Sequence, residues 1–453
     1  MIKKIKSAIS VLLCLILLSG TLTVCAYGEE KQTLSKLHTE KTCLVDENGN
    51  TVSLRGVNLG GWLVFEEWLG AITEGDDEHE LAGTEIYDTL IERFGYDKAM
   101  ELLDTYMDNW ITADDLDYIA STGMNCVRVP FWYRNLQDED GNWKLNENGE
   151  IDFSRLDWIV NECGKRGLYV ILDLHGAPGY QNDAHHSGKV NGSKLYELTA
   201  EGLEYRIRTI KLWKEVAKHF KGNGTIAAYD LLNEPCCDMN ENLYFRRMWD
   251  FYDELYKAVK CVDREKVMIM EAIWWLDRLP DPLAYGWNDV MYEVHLYDYT
   301  TDRIDNNIAD LKKYSEKYNI PLLVGELNSG EYYDYALNGY TEAGANWTTW
   351  TYKGLSKDPN TTWFIRRGEC EKADIRNDSF EEIAEKWGAA IRSENFSTNE
   401  NLLTILKNAI ALDVRQSDGK DMTKYIFYIV RRTALKVYAR MYALIMMLMN
   451  LGK

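Results

Sequence analysis

The sequence predicts an α/β fold, a (β/α)8 or TIM barrel with enlarged loops on its C-terminal face. Eight strand-like apolar runs alternate with amphipathic helical stretches, as in a parallel sheet covered by helices. The eight units span about 360 residues, which suits one barrel. No Gly-rich phosphate loop follows the first run, so a doubly wound open sheet is the less favoured alternative. The runs are residues 52–59, 125–131, 168–176, 225–235, 266–273, 290–298, 321–329 and 346–354.

The segments between these runs predict the remaining elements. Pro235 closes the fourth run, "TIAAYDLLNEP", and we expect it to end that strand because it fixes φ and lacks an N–H group. The stretches "SRLDWIVNECGKRG" and "YFRRMWDFYDELYKAVKCVD" have apolar residues at spacings of three and four, which predicts helices, and residues 379–396 predict a last helix. Long loops after the first, third and eighth strands should wall a cleft at the C-terminal face. These loops are residues 60–95, 177–193 and 355–378.

The N-terminal residues differ in composition from the barrel. Residues 1–26 run from the basic "MIKKIK" through the apolar "AISVLLCLILLSG", the layout of a cleaved secretory signal peptide. We therefore expect a secreted, extracellular protein. A lipid anchor on Cys25 is the lesser alternative, because Val24 is a poor neighbour for that chemistry. A polar leader, residues 27–44, precedes the barrel domain, residues 45–396.

The C-terminal extension, residues 397–453, is basic and partly apolar. From residue 400 it has nine Lys or Arg against four acids, and it ends in "YALIMMLMNLGK". This apolar run is too short to span a bilayer. A helix that lies on a membrane or on the barrel is one interpretation. A terminal appendage with no part in the chemistry is the preferred one.

Charge and cysteine content exclude several classes of function. The net charge of -21 argues against a nucleic-acid partner, because phosphate binding requires clustered Lys and Arg, and it favours a neutral substrate. Seven of the nine cysteines follow residue 26, none with CxxC spacing, so zinc-ribbon and thioredoxin-like chemistry are unsupported. The 15 Trp and 29 Tyr include enough aromatic faces to stack against sugar rings. Cys126, within an apolar strand, is expected to be a buried thiol.

Polar and aromatic residues gather where six of the predicted strands end. In a barrel the C-terminal ends of all strands converge, so residues far apart in sequence become neighbours. One polar residue at a strand end is usually a cap, but six ends together predict an active site. The residues concerned are Arg128, His175, Asn233, Glu234, His295, Tyr297, Glu326 and Trp350.

Glu234 and Glu326 are the carboxylates of this set. Two carboxylates that flank a glycosidic bond can hydrolyse it, one as general acid and base and the other as nucleophile. Strands four and seven lie across a small barrel, which allows a carboxyl separation of ~5 Å, the spacing for retention of configuration. The sequence therefore predicts retaining glycoside hydrolysis.

Four neighbours suit these roles. Arg128 can keep a nucleophilic carboxylate ionised through a charge-assisted hydrogen bond, and Tyr297 can donate to the same group. Asn233 can bind the sugar hydroxyl beside the reacting carbon, an interaction that strengthens in the transition state. Trp350 offers an apolar face to a sugar ring, with a core position as the alternative.

Histidines are the residues that would indicate a metal. Four of the seven, His175, His185, His186 and His295, lie in these segments. A catalytic metal commonly needs two or three His or carboxylate ligands that converge. No strand has an inward-pointing HxH pair, and the adjacent His185 and His186 cannot easily face one ion. We expect no metal and no cofactor. A metal-dependent hydrolase, which a chelator would inactivate, is the alternative.

Seven motifs, in this order, resemble those of a known family. They are "RGVNLGGWLVFEEW", "VRVPFWYR", "DLHGAPGYQN", "LLNEP", "HLYDY", "VGELNS" and "WTTWTYK". Over about residues 45–396 the chain resembles glycoside hydrolase family 5, of the retaining barrel clan A, and is most similar to exo-β-1,3-glucanases and related β-glucanases. The resemblance implies a (β/α)8 fold and hydrolysis of a β-glycosidic bond by double displacement.

The resemblance also implies roles for individual residues. By motif, Glu234 would be the acid/base and Glu326 the nucleophile. We accordingly expect Glu234 to be protonated at rest, its pKa raised by a partly dry cleft and by Glu326. Glu66, in "LVFEEW", stands where the pattern has a sugar-binding glutamate, although Glu67 replaces the usual Pro. The shell around the sugar would consist of Arg128, His175, Asn233, His295, Tyr297 and Trp350.

One segment departs from the exoglucanase pattern. After "GAPG" that pattern continues "SQNGFDNSG", whereas residues 180–188 read "YQNDAHHSG". Ala184 replaces an aromatic residue and His185 replaces a sugar-binding acid. These changes bear on chain-end attack and on preference for β-1,3 bonds, and they leave the bond-breaking residues intact.

The sequence thus predicts a secreted retaining glycoside hydrolase that acts on β-glucan oligo- or polysaccharides, either a β-1,3-glucosidase or an endo-β-1,4-glucanase. The alternative is a non-catalytic surface barrel that binds carbohydrate, but such a protein has no need of both Glu234 and Glu326. The linkage, the sugar, exo or endo action, the disulfide pairing and the oligomeric state stay open.

Overall fold

The eight predicted strands form one closed parallel barrel, which confirms the (β/α)8 fold. The computed structural model describes residues 34–73, 81–235 and 242–418, so the predicted signal peptide, Cys236, Cys237 and the end of the extension lie outside it. Each strand pairs with the next, and the eighth pairs with the first. The strands are β1 Arg55–Asn58, β2 Cys126–Trp132, β3 Tyr169–Gly176, β4 Ile226–Asp230, β5 Val267–Glu271, β6 Val290–Leu296, β7 Leu322–Leu327 and β8 Asn346–Thr349.

Helices fill the connections between the strands. The loop between β1 and β2 contains three of them, which makes it the longest connection in the described barrel. The helices are α1 Gly83–Phe94, α2 Tyr96–Trp110, α3 Ala113–Ser121, α4 Ser154–Lys165, α5 Ala200–His219, α6 Asn242–Val262, α7 Pro282–Tyr285, α8 Thr301–Tyr318, α9 Tyr333–Glu342, α10 Phe380–Lys386 and α11 Glu400–Asp418.

Inside the barrel, two layers of side chains follow each other along the strands. Near the N-terminal ends lies an apolar layer, and an N-terminal hairpin of Leu37–Glu40 and Cys43–Asp46 adds Leu37 and Leu44 to the same cluster. Two residues further along, the side chains are charged or absent. The apolar layer consists of Cys126, Ile171, Ala228, Ile269, Met291 and Leu323. The charged layer consists of Arg128, Asp173, Asp230, Glu271 and Glu293, with Gly325 at the corresponding place in β7.

The end of β4 differs from the prediction. Pro235 does not end the strand, because β4 already stops at Asp230. Leu231 and Asn233 still donate backbone hydrogen bonds to neighbouring strands, to Ile269 O at 3.2 Å and Leu174 O at 3.1 Å. Glu234 has a φ of 43°, in the left-handed region, which no strand residue adopts.

The C-terminal prediction is wrong in one respect. The helix expected over residues 379–396 is only α10, which ends before Gly388, and single turns follow it. Gly388 weakens a helix that the apolar pattern alone would continue. Residues beyond 396 instead form α11, which packs on α9 and buries Leu402 and Leu406 in the main core. The core therefore continues past the predicted domain boundary.

Within residues 34–73, 81–235 and 242–418, no helix combines the length and apolar character needed to cross a membrane.

Candidate active site

The predicted site residues come together at the C-terminal mouth of the barrel. Glu234 and Glu326 each offer a carboxylate oxygen, and these oxygens lie within 4.8 Å of each other. A pocket of about 310 Å³ opens above them. Arg128 and His295 lie fully buried beneath it. The predicted residues that line the pocket are Glu66, His175, Asn233, Glu234, Tyr297, Glu326 and Trp350.

Glu326 is held by one hydrogen-bond donor on each oxygen. Arg128 Nη1 lies 3.1 Å from Oε1, and the Tyr297 hydroxyl donates to Oε2 at 2.6 Å. Both contacts were expected from the sequence. Because the residue is almost fully buried, the two donors fix the orientation of its carboxylate toward the pocket.

Arg128 is the centre of the charged layer. Its guanidinium lies 2.8 Å from Asp230, 3.1 Å from Asp173 and 3.4 Å from Glu293. It also donates to Asn233 Oδ1 at 2.9 Å. Burial alone would lower the pKa of Arg128, but the surrounding carboxylates raise it well above the ordinary value. The arginine is therefore a permanent cation, and it positions the pocket residues from below.

Glu234 is fixed through its backbone as well as its side chain. Its N–H donates to Glu271 Oε2 at 2.5 Å, and its carbonyl accepts from Asn182 Nδ2 at 3.0 Å. The carboxylate lies between two imidazoles, with His295 Nδ1 2.7 Å from Oε1 and His186 Nε2 3.1 Å from Oε2. These four contacts hold the left-handed backbone conformation in place.

The charge state of Glu234 differs from the one that was expected. Burial raises the pKa of Glu234, but hydrogen bonds and charges from His186 and His295 outweigh it, and the pKa lies well below the usual range. Burial raises the pKa of Glu326, against the opposing charges of His295 and Arg128. Glu234 was expected to be protonated at rest, and the two imidazoles, which the prediction did not count, reverse that.

His295 is surrounded by carboxylates. Its Nδ1 faces Glu234, and its Nε2 lies 3.2 Å from Glu293 Oε1. Burial lowers its pKa, but the charges of Glu271 and Glu326 and the two hydrogen bonds raise it well above the ordinary value. Glu234, His295 and Glu326 bring potential ligand atoms within 4.8 Å. A metal requires a neutral imidazole, so an ion at this place would have to displace the proton that the surrounding carboxylates favour on His295.

Two stacked rings form part of the pocket lining. The His175 and Trp350 rings lie 5.7 Å apart at an angle of 11°. His175 Nδ1 lies 2.7 Å from Asp173 Oδ2, and its Nε2 lies 3.4 Å from Asn233 Nδ2. Trp350 thus lies at the pocket and not in the core alone, as predicted for a face against a sugar ring.

Glu66 lies at the rim, in the loop after β1. Its Oε2 accepts a hydrogen bond from Trp68 Nε1 at 2.8 Å and lies 3.8 Å from His185 Nε2. Burial raises the pKa of Glu66, but the hydrogen bond with His185 and the charges of nearby histidines lower it overall. An ionised carboxylate in this place can accept hydrogen bonds from sugar hydroxyls.

The sequence-based search missed two groups of residues. The carboxylates of the charged layer were not predicted, although each lies two residues beyond an apolar inward position, a period of two that marks the same strand face. The second group lines the rim and comes from loops, whose position no periodicity indicates. The missed rim residues are Trp68, Trp274, Tyr299 and Trp363. The rim also contains His185 and His186, which the sequence raised only as metal ligands and in the segment that departs from the exoglucanase pattern.

Two curated relatives are similar to this chain in sequence. A β-xylosidase of Phanerodontia chrysosporium is 30% identical over 270 residues, 58% of this chain and 52% of that protein. A probable glucan 1,3-beta-glucosidase A of Aspergillus clavatus is 30% identical over 288 residues, 60% of this chain and 64% of that protein. The chain thus matches between half and two thirds of the length of these relatives.

Solved structures share the fold. An endogalactoceramidase has a TM-score of 0.53 at 18% identity and covers 78% of this chain and 84% of its own. A rutinosidase from Aspergillus niger has a TM-score of 0.50 at 16% identity and covers 74% of this chain and 97% of its own. At such identities the likeness concerns the barrel alone.

The family match extends over most of the barrel. The model of the family described as cellulase (glycosyl hydrolase family 5) matches residues 92–369, more than half of the chain. This confirms both the family predicted from the motifs and the class of protein, a glycoside hydrolase. The chain belongs to glycosyl hydrolase family 5.

Proposed function

We propose that this protein hydrolyses β-glucosidic bonds of glucans with retention of configuration, with Glu326 as nucleophile and Glu234 as acid/base. The observation that carries the proposal is the carboxylate pair, whose oxygens lie within 4.8 Å of each other. Such a separation leaves no room for a water molecule between the second carboxylate and the sugar, as inversion would require, and suits direct attack on the anomeric carbon.

In the first step, Glu326 attacks the anomeric carbon and Glu234 gives a proton to the leaving oxygen. Arg128 and Tyr297 orient Glu326, and their hydrogen bonds favour its ionised form. In the second step, Glu234 takes a proton from water, which attacks the anomeric carbon and releases Glu326. The two donors on Glu326, one on each oxygen, support its assignment as nucleophile because they hold the carboxylate in one orientation.

The shell residues receive roles by their places in the pocket. Asn233 would bind the hydroxyl beside the anomeric carbon, Trp350 the ring face, and Glu66 hydroxyls at the far end of the sugar. His175 and His295 would orient Asn233 and Glu234. We propose a β-1,3-glucosidase or an endo-β-1,4-glucanase, because glucan 1,3-beta-glucosidases are among the relatives and cellulase is the family description.

Location and domain limits are part of the same proposal. A signal peptide at residues 1–26 would direct secretion, and a polysaccharide too large to enter a cell requires an enzyme outside it. The leader at residues 27–44 and the basic end of the chain would take no part in the chemistry. Exported protein that retains residues 1–26 at its N-terminus would contradict this.

Glu326→Gln tests the proposal. The change keeps the size of the side chain and one acceptor oxygen but removes the nucleophile, so kcat on an aryl β-glucoside should fall by at least about 10³-fold while the protein stays folded. Glu381→Gln, on the exposed face of α10, is the matched control and should keep wild-type rates. Wild-type turnover in Glu326→Gln would exclude the nucleophile assignment.

A substrate panel resolves the linkage. Laminarin, cellulose, xyloglucan and mannan oligosaccharides should be incubated with the wild-type protein, and the products separated by chromatography. Glucose alone from laminarin would favour a β-1,3-glucosidase, and a ladder of products from cellulose would favour an endo-β-1,4-glucanase. Binding of these sugars without cleavage would favour the non-catalytic alternative.

A further inference from the structure

His186 reaches the carboxylate of Glu234 from the loop after β3. It lies in a single turn, His185–Ser187, and its side chain is 20% exposed. Its Nε2 lies 3.1 Å from Glu234 Oε2, while His295 Nδ1 lies 2.7 Å from Oε1. Both oxygens of the proposed acid/base therefore face an imidazole nitrogen. His186 occupies a position that is Asn in the exoglucanase pattern.

Asn182 provides a partner for the neutral form of His186. Its Oδ1 accepts from the Ala184 N–H at 2.9 Å and its Nδ2 donates to the Glu234 carbonyl at 3.0 Å, so the orientation of the amide is fixed. The second hydrogen of Nδ2 faces His186 Nε2 at 3.1 Å. An amide N–H donates only to an unprotonated nitrogen, whereas a carboxylate accepts only from a protonated one. The site therefore accommodates both protonation states of His186.

The electrostatic surroundings of His186 are mostly negative. Burial lowers the pKa of His186, but the hydrogen bond with Glu234 and the charges of Glu234, Glu66 and Glu326 raise it to about 9. The rings of His175 and His185 face it at 5.8 and 5.6 Å between centroids, and positive charge on either would oppose this rise. The three carboxylates prevail, so a proton stays at this position through neutral pH.

We propose that His186 and Glu234 act as a pair that holds one proton, in which His186 is the positioning residue that stores the proton while Glu234 is a carboxylate. This rests on the proposed function. Before bond cleavage the proton moves from His186 Nε2 to Glu234 Oε2, and the neutral ring accepts from Asn182. Glu234 then gives the proton to the leaving oxygen as the C–O bond breaks. In the second step Glu234 takes a proton from the attacking water and returns it to Nε2.

The pH profile of kcat/KM tests the pair. An isolated carboxyl loses its proton at lower pH than the pair, so His186→Asn and His186→Gln should move the basic limb to lower pH by at least ~1 unit on a phenyl β-glucoside, whose leaving group needs protonation. On a 2,4-dinitrophenyl β-glucoside, which needs little protonation, the variants should keep the wild-type limb. A structural role alone would not separate the two substrates. His219→Gln, at an exposed histidine of α5 outside the pocket, should keep the wild-type limb on both.

An unchanged basic limb on the phenyl substrate would overturn the proposal. If both His186 variants fail to fold, imidazole NMR of the wild-type protein decides: His186 and His295 should stay protonated above about pH 8, and fewer than two such rings would overturn the pair. If the wild-type protein cleaves neither substrate, the proposed function fails, and the imidazole titration still reports on the pair by itself.

Discussion

The apolar layer and the charged layer lie two residues apart on the same strands and follow opposite rules. In the apolar layer, burial of side chains such as Ile171 and Ile269 stabilises the fold, and no polar atom has to be oriented toward a partner. In the charged layer, burial opposes the fold, since ions lose their hydration and need partners of opposite charge. This barrel is therefore stabilised near its N-terminal end and made reactive near its C-terminal end.

The charged layer does not balance its own charges. Four buried carboxylates stand beside the cations Arg128 and His295, with Glu234 and Glu326 immediately above. Burial and neighbouring carboxylates raise the pKa of Asp230 and of Glu271 well above their ordinary values. A proton shared among these acids therefore lowers the free-energy cost of burying the charged layer. The remaining charges hold Glu234 and Glu326 in place.

Arg128→Met, in the charged layer, should have the largest effect, on both the free energy of unfolding and the activity. The variant leaves buried carboxylates without their cation and Glu326 without a donor, so we expect a loss of about 3–5 kcal/mol in the free energy of unfolding together with loss of activity. Denaturant titration and kcat/KM measure the two effects. Arg155→Met removes a surface arginine that pairs with Asp104 and Asp108, and should cost less than about 1 kcal/mol. Equal effects of the two variants would contradict the comparison.

Glu234→Ala should separate activity from stability. With no proton donor, kcat/KM on an oligosaccharide should fall about 10²–10⁴-fold, whereas bond cleavage with a good leaving group should be spared. The pre-steady-state burst of a dinitrophenyl substrate measures that step. Unchanged hydrolysis of glucan would exclude the acid/base role.

Ile171→Ala should have the opposite effect to Glu234→Ala and lower stability while activity is kept. It empties part of the apolar layer, so the free energy of unfolding should fall by about 2–5 kcal/mol while kcat stays near the wild-type value. Ile171→Val, with one methyl group less, should cost only about 0.5–1.5 kcal/mol. A large fall in kcat at temperatures where the variant is folded would show that the two layers are not independent.

Tyr297→Phe should have the smallest effect. Loss of the 2.6 Å hydrogen bond to Glu326 should lower kcat/KM by about 10-fold, the value of a hydrogen bond to a charged group. The nucleophile must be ionised, and its pKa is already raised, so activity is lost as pH falls through that pKa. Without the Tyr297 donor the pKa rises further, and the acid limb should move to higher pH. A shift to lower pH would contradict the role of Tyr297.

The sequence was sufficient for the barrel and for the carboxylate pair, because strand ends in a barrel converge whatever the loops do. Glu326, Arg128 and Tyr297 lie on regular strands or directly after them, and their contacts match the prediction. Glu234 lies four residues past its strand, where only tertiary contacts fix its φ of 43°. His186 depends on how a loop folds back, which no periodicity encodes, so the charge state of Glu234 could not be predicted. The extent of α10 was predicted wrongly because the apolar spacing continues beyond Gly388, whereas the helix ends before it.

Gly325 is the one member of the charged layer without a side chain, and the residue type allowed at this position depends on residue 293. A Cβ at residue 325 would lie 1.4 Å from Glu293 Oε1. A larger residue beside the proposed nucleophile therefore requires the Glu293 carboxylate to move away from Arg128 and His295, its partners at 3.4 and 3.2 Å. Substitutions at residue 325 and at residue 293 are therefore coupled, and a single-site library at residue 325 should return mostly glycine.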